Sequence, residues 1–321
     1  MRVLVTAIGS MSAPCVISTL REKGHFVLGT DIYPSEWHHE TTLCDDFLQA
    51  PLATNEHEYI LFLINACGEY KIDTILPLTD LEIDVLRQYR SRFEQIDISL
   101  AMPSDAILNV VRDKYALHQM FEHDINVPSI PTIKLVDYMA ANTKRTIINF
   151  PCIAKTYNGR SSEGLIRNAR QEDIMAIEDK SRYILQNQIS GSICTVDYIR
   201  SGSSDVIVAR EELLRTKNGA GMTIRLFDDA KLSKLVSYIG NKLGISSAIN
   251  MEFIHADDGE YYLIDINPRF SAGVAYSKIA GYDMVINHFR ALSEMPIDSQ
   301  ISVKQMIITK YWKEEILKTY E

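Results

Sequence analysis

The first hundred residues alternate short β-branched runs with amphipathic stretches, and this alternation restricts the fold more than any other feature of the sequence. Strands are predicted at residues 2–6, 26–30, 74–77 and 98–101, and helices near residues 13–23, 56–66 and 81–93. Such alternation is typical of a parallel sheet, because each parallel strand must be reached by a long crossover connection. The sequence therefore predicts an N-terminal α/β domain that is Rossmann-like in its order of elements.

The first turn of this domain, residues 7–13, holds a single glycine, Gly9. A dinucleotide-binding turn has three glycines, which let the backbone approach a pyrophosphate and let the helix pack closely on the strand. The turn therefore argues against a nicotinamide-dependent oxidoreductase, the rival enzyme class for such a domain. Thr79 and Asp80 directly follow a predicted strand, at the edge where open α/β sheets bind ligands. They are candidates for contacting an amine or, as is more usual, for capping the next helix.

A proline marks the start of a second domain. Pro103 disfavours a helix before it, and Ser104 can cap a helix after it. Beyond residue 127 the chain is rich in strand patterns with few helices, which is typical of an α+β fold. Asp228 is predicted to cap one strongly amphipathic helix, which Gly244 ends.

Composition and charge exclude several classes of function. The net charge of −9 and the pI of about 5.4 argue against broad attraction to nucleic acid or anionic lipid. The apolar stretches are far shorter than the roughly 20 residues that span a bilayer. The chain enters a strand directly after Met1, so no secretion signal is expected and a cytoplasmic protein is predicted. Five widely spaced cysteines favour neither disulfides nor zinc, and His38, His39 and Cys44 suit an exposed loop better than a metal site.

Three oxygen-bearing side chains fall on one predicted hairpin in the last quarter of the chain. Its strands, residues 249–255 and 260–266, flank an Asp-Gly pair that is typical of a tight turn. Asp265 and Asn267 are two residues apart and share a face, and the matching register brings Glu252 beside Asp265. Carboxylate and amide oxygens without His or Cys suit Mg²⁺, which usually binds substrate phosphates as well. The alternative is a solvated hairpin face that carries acids.

The segment Asp265-Ile266-Asn267-Pro268-Arg269-Phe270-Ser271-Ala272-Gly273 resembles the signature at the core of the ATP-grasp superfamily. The resemblance implies that Asp265 and Asn267 hold two magnesium ions, for which Mn²⁺ can substitute, between the phosphates of ATP. It also implies that Arg269 meets the transferred phosphoryl group or the substrate carboxylate, and a continuing strand would keep Arg269 on the face of Asn267. Asp265 stands where the family more often has glutamate. The preceding strand is similar too, and it maps a further metal ligand onto Glu252.

Other stretches similar to the family follow in the expected order from about Ser104 to Arg290. Lys114 opens a helix where the family has its first phosphate-binding lysine, and residues 151–155 resemble the strand that ends in the second, Lys155. Lysine charges at these places neutralise phosphate oxygens, although either lysine taken alone would be expected on the solvated surface. The loop after Lys155 resembles the glycine-rich lid of the family, which implies ATP contacts from Gly159, Ser161 and Ser162.

Residues 186–191 resemble the hinge between the two lobes of the family, where adenine and ribose bind. The resemblance implies ATP contacts from Gln186, Asn187, Gln188 and Ile189. Ile193 departs from the glutamate that relatives commonly use for ribose, and either of the first two amides can take its place. Arg210 and Arg215 fall where relatives place basic residues against phosphate or acyl phosphate, and Arg210 is the favoured catalytic candidate. Otherwise, arginines beside a turn are often merely solvated.

The expected domains are a Rossmann-like domain (1–103), an ATP-grasp domain (104–300) and a tail that packs on the large lobe (301–321). The small lobe covers about 127–187, and the large lobe begins near 188. The resemblance implies a ligase that activates a carboxylate with ATP as an acyl phosphate and couples it to an amine, as in proteins resembling the large subunit of carbamoyl-phosphate synthase. Small-molecule substrates are the expected partners, without nucleic acid or membrane, and a homodimer is compatible with the sequence. The alternative is a nucleotide-binding sensor without turnover.

Overall fold

Three sheets organise the chain in the computed structural model, which describes residues 1–140, 148–159, 163–217, 219–299 and 302–319. A parallel sheet of five strands comes first, followed by an antiparallel sheet of four strands and another of six. This order confirms the predicted fold class, an α/β domain followed by an α+β region in two lobes. None of the described helices is long and apolar enough to cross a membrane.

The N-terminal domain is a parallel sheet covered by helices. Its elements are β1 (Arg2–Val5), α1 (Ala13–Glu22), β2 (Phe26–Asp31), β3 (Asp46–Gln49), α2 (Glu56–Tyr70), β4 (Thr74–Leu76), α3 (Asp80–Leu86), α4 (Arg90–Glu94) and β5 (Ser99–Leu100). The strand order is β3-β2-β1-β4-β5. The helix expected over residues 81–93 is divided, because a 3₁₀ turn at Arg87–Tyr89 separates α3 from α4. The edge strand β3 is a strand that the sequence analysis missed.

Two short helices, α5 (Asp105–Val111) and α6 (Lys114–Phe121), lead into the second domain. The carboxylate of Asp113 accepts hydrogen bonds from the backbone N–H groups of Tyr115 and Ala116, at 2.8 and 2.9 Å. This cap fixes the start of α6, since it satisfies two of the N–H groups that have no partner within a helix. Lys114 is therefore held in the first turn.

The small lobe carries the four-stranded sheet, in the order β6-β9-β7-β8. Its elements are β6 (Thr132–Lys134), α7 (Leu135–Met139), β7 (Cys152–Thr156), β8 (Ile166–Ala169), α8 (Gln171–Met175) and β9 (Tyr183–Gln186). A small apolar core of its own, with Leu135, Cys152 and Leu185 at its centre, holds these elements together.

The large lobe carries the six-stranded sheet, in the order β14-β13-β10-β11-β12-β15. Its elements are β10 (Gly191–Ser201), β11 (Ser204–Arg215), β12 (Gly221–Phe227), α9 (Ala230–Lys242), β13 (Ala248–Ala256), β14 (Tyr261–Asn267), α10 (Val274–Ile279), α11 (Met284–Leu292) and β15 (Met306–Thr309). Asp229, not the predicted Asp228, caps α9, because its carboxylate is the one that accepts from Leu232 N, at 2.9 Å. The chain after residue 301 supplies β15, which pairs with β12 and was not predicted as a strand.

The N-terminal domain and the large lobe share one apolar core. Val5 and Ile17 of the first domain belong to the same buried cluster as Tyr276 and Val285 of the large lobe. Burial of this kind is the main favourable contribution to folding, so the shared core keeps the two units together. Residues on the first sheet can therefore be held against residues of the large lobe.

His288 is a buried polar link across this core. Its Nδ1 accepts a hydrogen bond from Ala248 N (3.0 Å), so the proton lies on Nε2, which donates to the carbonyl of Ala101 at the end of the first sheet (3.1 Å). Burial lowers the pKa of His288 to about 4, and its hydrogen bond to Ala101 opposes this only in part. The folded protein therefore holds a neutral imidazole.

We expect His288 to make the protein less stable in mild acid. A histidine in the unfolded chain takes up a proton near pH 6.5, whereas His288 in the folded protein does so only near pH 4, so stability is lost as the pH falls between these values. Between pH 7 and pH 5 the loss amounts to about 2 kcal/mol. Urea unfolding at both pH values would measure it. The His288→Gln protein should be less stable at pH 7 but lack this part of the pH dependence, and equal pH dependence in both proteins would contradict the assignment.

Candidate active site

A cavity of about 580 Å³ lies between the sheets of the small and large lobes. Twelve of the site residues predicted from the sequence line it: Lys114, Lys155, Gly159, Gln186, Asn187, Gln188, Ile189, Arg210, Glu252, Asp265, Asn267 and Arg269. Ser161 and Ser162, the other two predicted ATP contacts, lie outside the described residues, as do Arg160 and Asn218 of the predicted loops. The fold thus brings these twelve candidates to one place, whereas Thr79 and Asp80 do not line the cavity.

Oxygen-bearing side chains form the floor of the cavity on the hairpin of β13 and β14. Glu252 pairs with Asp265 across the two strands, and Asn250 pairs with Asn267. The amide nitrogen of Asn267 donates to Asn250 Oδ1 at 3.1 Å, which leaves the amide oxygen of Asn267 to accept from another group. A register shift follows Glu252, and such an irregularity can redirect neighbouring side chains. The pairing of Glu252 with Asp265 confirms the predicted register of the hairpin.

Two basic side chains balance the carboxylates of this floor. Lys114 Nζ lies 3.1 Å from Asp265 Oδ2, and an arginine nitrogen of Arg215 lies 3.3 Å from Glu252 Oε2. Burial raises the pKa of Glu252, and the neighbouring Asp265 adds to this effect while Arg215 opposes it. Two carboxylates and an amide oxygen form a donor set that suits Mg²⁺. The described residues contain no cluster of three or more His, Cys, Asp or Glu side chains arranged for a metal ion.

The two candidate phosphate-binding lysines face this floor from the small-lobe side. Lys114 Nζ also donates to the carbonyl of Gly159 at 3.2 Å, and its backbone N–H donates to Tyr157 O at 2.7 Å. Lys155 is half-buried on β7, and its Nζ lies 3.5 Å from the carbonyl of Ile264. Burial lowers the pKa of Lys155 to about 8, because desolvation disfavours the ammonium ion more than Asp265 favours it.

Part of the lining of the cavity is apolar. Isoleucine side chains from both lobes line it, at positions 130, 153, 189, 193, 254 and 264. Gln186 Nε2 donates to Thr132 Oγ1 at 2.9 Å, and the side-chain oxygen of Asn187 accepts from Asn149 N at 2.8 Å. Gln186 therefore already bonds to the neighbouring strand β6, and Asn187 to the segment before β7, and their suggested part in binding ribose stays a prediction.

Arg210 is buried among acids at the wall of the cavity. Its nitrogens lie 3.0 Å from Asp197 Oδ2 and 3.2 Å from Glu212 Oε1. Burial alone would lower the pKa of Arg210, but the two carboxylates outweigh this effect and raise it. Gly273 packs directly on the guanidinium, since a β-carbon there would come within 2.9 Å of it. The catalytic role predicted for Arg210 stays a prediction. Its ion pairs with Asp197 and Glu212 suit a side chain that is held still in the wall of the cavity.

Arg269 points toward the N-terminal domain. It lies beyond the end of β14, so strand alternation does not set its direction, contrary to the expectation that it shares the face of Asn267. An arginine nitrogen of Arg269 lies 2.9 Å from Asp80 Oδ2. Burial would raise the pKa of Asp80, but Arg269 and Arg112 overcome this effect and lower it. The hydroxyl oxygen of Thr79 accepts a hydrogen bond from Glu82 N at 3.4 Å and so caps α3. Of the two candidates, Thr79 is therefore the helix cap and Asp80 forms the ion pair.

Arg112 is a cavity residue that the sequence analysis missed. It forms two hydrogen bonds with the carboxylate of Asp84, at 2.9 and 2.8 Å, and lies 3.6 Å from Asp80 Oδ1. The sequence signal that could have identified Arg112 is its position directly before Asp113 and Lys114. His38 and His39 lie away from the cavity, and they pair with Asp31 (3.3 Å) and Glu315 (2.8 Å), respectively.

The fold and the cavity define a class of two-lobed proteins that follow an N-terminal α/β domain and enclose a cavity between the sheets of their two lobes. Residues 179–315 match the family model described as "ATP-grasp in the biosynthetic pathway with Ter operon". Residues 4–101 match the model "PylC-like, N-terminal domain". Residues 179–315 therefore belong to the ATP-grasp superfamily, and the resemblance stated from the sequence is confirmed.

Known proteins share parts of this sequence and nearly all of this fold. The carbamoyl phosphate synthase large chain of Clostridium beijerinckii is 27% identical over 124 residues, which are 36% of this chain and 12% of that protein. The biotin carboxylase domain dimer of Hydrogenobacter thermophilus 2-oxoglutarate carboxylase, solved with MgADP and bicarbonate, has a TM-score of 0.75 at 18% identity, over 93% of this chain and 71% of that one. N5-carboxyaminoimidazole synthetase from Staphylococcus aureus has a TM-score of 0.73 at 16% identity, over 96% and 81%. At these identities the solved structures show a common fold.

Proposed function

We propose that the protein is an ATP-dependent, ADP-forming ligase that joins a small carboxylate to an amine through an acyl phosphate. The observation that carries the proposal is the convergence of twelve candidate residues on one cavity between the lobes. The lining of the cavity combines isoleucine side chains, a floor of oxygen donors and basic side chains. This combination suits a nucleotide whose base lies among isoleucines and whose phosphates lie near the lysines.

Magnesium would be held by the oxygens of Glu252, Asp265 and Asn267, and when bound it would neutralise phosphate charge during transfer. The donor chemistry fits, because the amide oxygen of Asn267 is left to accept and the two carboxylates lie side by side. The MgADP bound by the solved biotin carboxylase domain supports ATP and magnesium as ligands here. Two ions, and replacement of magnesium by manganese, are finer predictions of the same proposal.

The side chains of this protein would mainly position the reactants and stabilise charge. Lys114 and Lys155 would exchange their present contacts for phosphate oxygens, while Arg269 would hold the reacting carboxylate. A carboxylate oxygen attacks the γ-phosphorus of ATP, and the bond to ADP breaks. The amine then attacks the acyl carbon, the bond to phosphate breaks, the nitrogen gives up a proton that the departing phosphate can take, and an amide forms. None of these steps needs a nucleophile from the protein.

The substrates that we propose are an amino acid or a related small carboxylate and a small amine. A screen of ADP release against amino acids, singly and in pairs, would test the proposal, with mass spectrometry to identify any amide. Release that depends on a carboxylate, with formation of an amide, is the expected outcome. ATP binding without such release across the panel would defeat the proposal and favour a sensor. The cytoplasmic location and the homodimer stay predictions.

We expect Lys155→Ala to weaken ATP binding more than binding of the carboxylate substrate. A charged hydrogen bond to phosphate is worth about 2 kcal/mol, so the dissociation constant for MgATP should rise roughly 30-fold. Isothermal titration calorimetry would measure both ligands. Lys231→Ala is a matched control, because Lys231 is an exposed lysine that pairs with Glu260 on the surface. Wild-type affinity for ATP in the Lys155→Ala protein would remove Lys155 from the site.

A further inference from the structure

The contact between Arg269 and Asp80 joins parts of the chain that are 189 residues apart. Asp80 is the first residue of α3 in the N-terminal domain, and its side chain is only 3% exposed. Arg269 follows the oxygen-donor hairpin in the large lobe and lines the cavity. The contact therefore connects a buried acid of the first domain with the arginine proposed to serve the reaction.

Several contacts fix the guanidinium of Arg269 at one place. Nη2 donates to Asp80 Oδ2 at 2.9 Å, and Nη1 donates to the carbonyl of Phe270 at 3.2 Å. Nε is buried and has no hydrogen-bond partner among the described residues. Nη1 and Nη2 each keep a second N–H that a ligand could accept from, while their first N–H groups hold the side chain in place. A side chain fixed in this way loses less entropy when it binds a carboxylate.

Asp80 is itself held by more than one residue. Arg112 lies 3.6 Å from Asp80 Oδ1 and is bound through two hydrogen bonds by Asp84, one helical turn further along α3. The acid therefore lies between two arginines that both line the cavity. Glu252 and Asp265, on the floor, line the same cavity as Arg269. Without a fixed partner, its long side chain could turn to those carboxylates, which the proposed magnesium site needs.

We propose that Asp80 is a positioning residue of the ligase reaction, which holds Arg269 toward the substrate carboxylate and away from the metal-binding carboxylates. The N-terminal domain thereby shapes the reacting centre through one side chain. This inference rests on the proposed function, since the role of Arg269 in holding the substrate carboxylate is part of the proposed ligase reaction.

Asp80→Asn tests the inference, because asparagine keeps the size of the side chain and removes its charge. We expect kcat to fall roughly 10- to 100-fold, as small misplacement of a reacting group can cost that much, with the KM for ATP changing less than about twofold. In the Arg269→Lys background the same substitution should have little further effect, because residues that act together are not additive. Independent, additive effects, or an unchanged kcat in folded Asp80→Asn protein, would overturn the inference.

Glu22→Gln is the matched control, because Glu22 also forms an ion pair across the two units, with Lys278 at 2.6 Å, but on the exposed surface. It should leave kcat unchanged.

A second measurement does not need turnover. It follows the solvent exchange of the Nε–H proton of Arg269 by ¹⁵N NMR, and this resonance is assigned by its loss in the Arg269→Lys protein. We expect faster solvent exchange of this proton in Asp80→Asn and no change in Glu22→Gln. If wild-type protein releases no ADP with any substrate, the ligase proposal fails, whereas unchanged exchange in Asp80→Asn overturns the positioning role by itself.

Discussion

Asn267→Ala should abolish carboxylate-dependent ADP release without unfolding the protein, and Asp265→Ala should do the same. Both side chains lie on the floor of the cavity, where they would hold the magnesium that neutralises phosphate charge during transfer. That stabilisation is worth several kcal/mol, so turnover should fall by at least about 1,000-fold. Steady-state ADP release, with circular dichroism and thermal unfolding as measures of folding, would test both variants.

The hairpin offers its own control for these substitutions. Asp258 lies in its exposed turn, where the carboxylate accepts a hydrogen bond from Tyr262 OH at 2.9 Å. Asp258→Ala changes an acid on the same hairpin far from the cavity floor, and it should turn over at the wild-type rate. Normal ADP release from folded Asn267→Ala or Asp265→Ala protein would defeat the metal assignment and favour the solvated hairpin face.

Arg269→Lys should reduce turnover much more than it reduces affinity for ATP. A lysine cannot hold Asp80 and a carboxylate with one planar group, and charge that develops during transfer should strengthen the arginine contacts beyond those made in the ground state. The expected loss is about 2 to 4 kcal/mol in the barrier, by analogy with removal of one preorganised donor. The test compares kcat with the dissociation constant of MgATP measured by calorimetry.

Arg225→Lys is the control for this substitution, because Arg225 is a largely exposed arginine on β12 of the large lobe that pairs with Glu211 at 3.2 Å. Small and equal changes of kcat and ATP affinity in the Arg269→Lys protein would contradict the role. The simple alternative was that Arg269 pairs with a surface acid. Its partner Asp80 is buried, so the contact is better shielded from water than a surface pair, which typically contributes little.

Short-range patterns were enough to predict most of the elements. The hairpin of β13 and β14 formed in the predicted register, because an Asp-Gly turn and alternating side chains restrict how two adjacent strands can pair. The strands β3, β6 and β15 were missed, since each is an edge strand of three or four residues, too short to show a repeating pattern, and β12 was missed as well. The cap of α9 was placed one residue early, because Asp228 and Asp229 are adjacent and only the backbone geometry distinguishes them.

The sequence by itself determined the α/β and α+β order, the superfamily and the oxygen-donor hairpin, because each depends on residues that are close in the chain or on a continuous motif. Only the tertiary structure decided that Arg112 reaches the cavity, that Arg210 is enclosed by acids and that Arg269 is held by Asp80. These contacts join residues from separate elements. No local pattern encodes them, because their geometry follows from how the shared apolar core packs the first sheet against the large lobe.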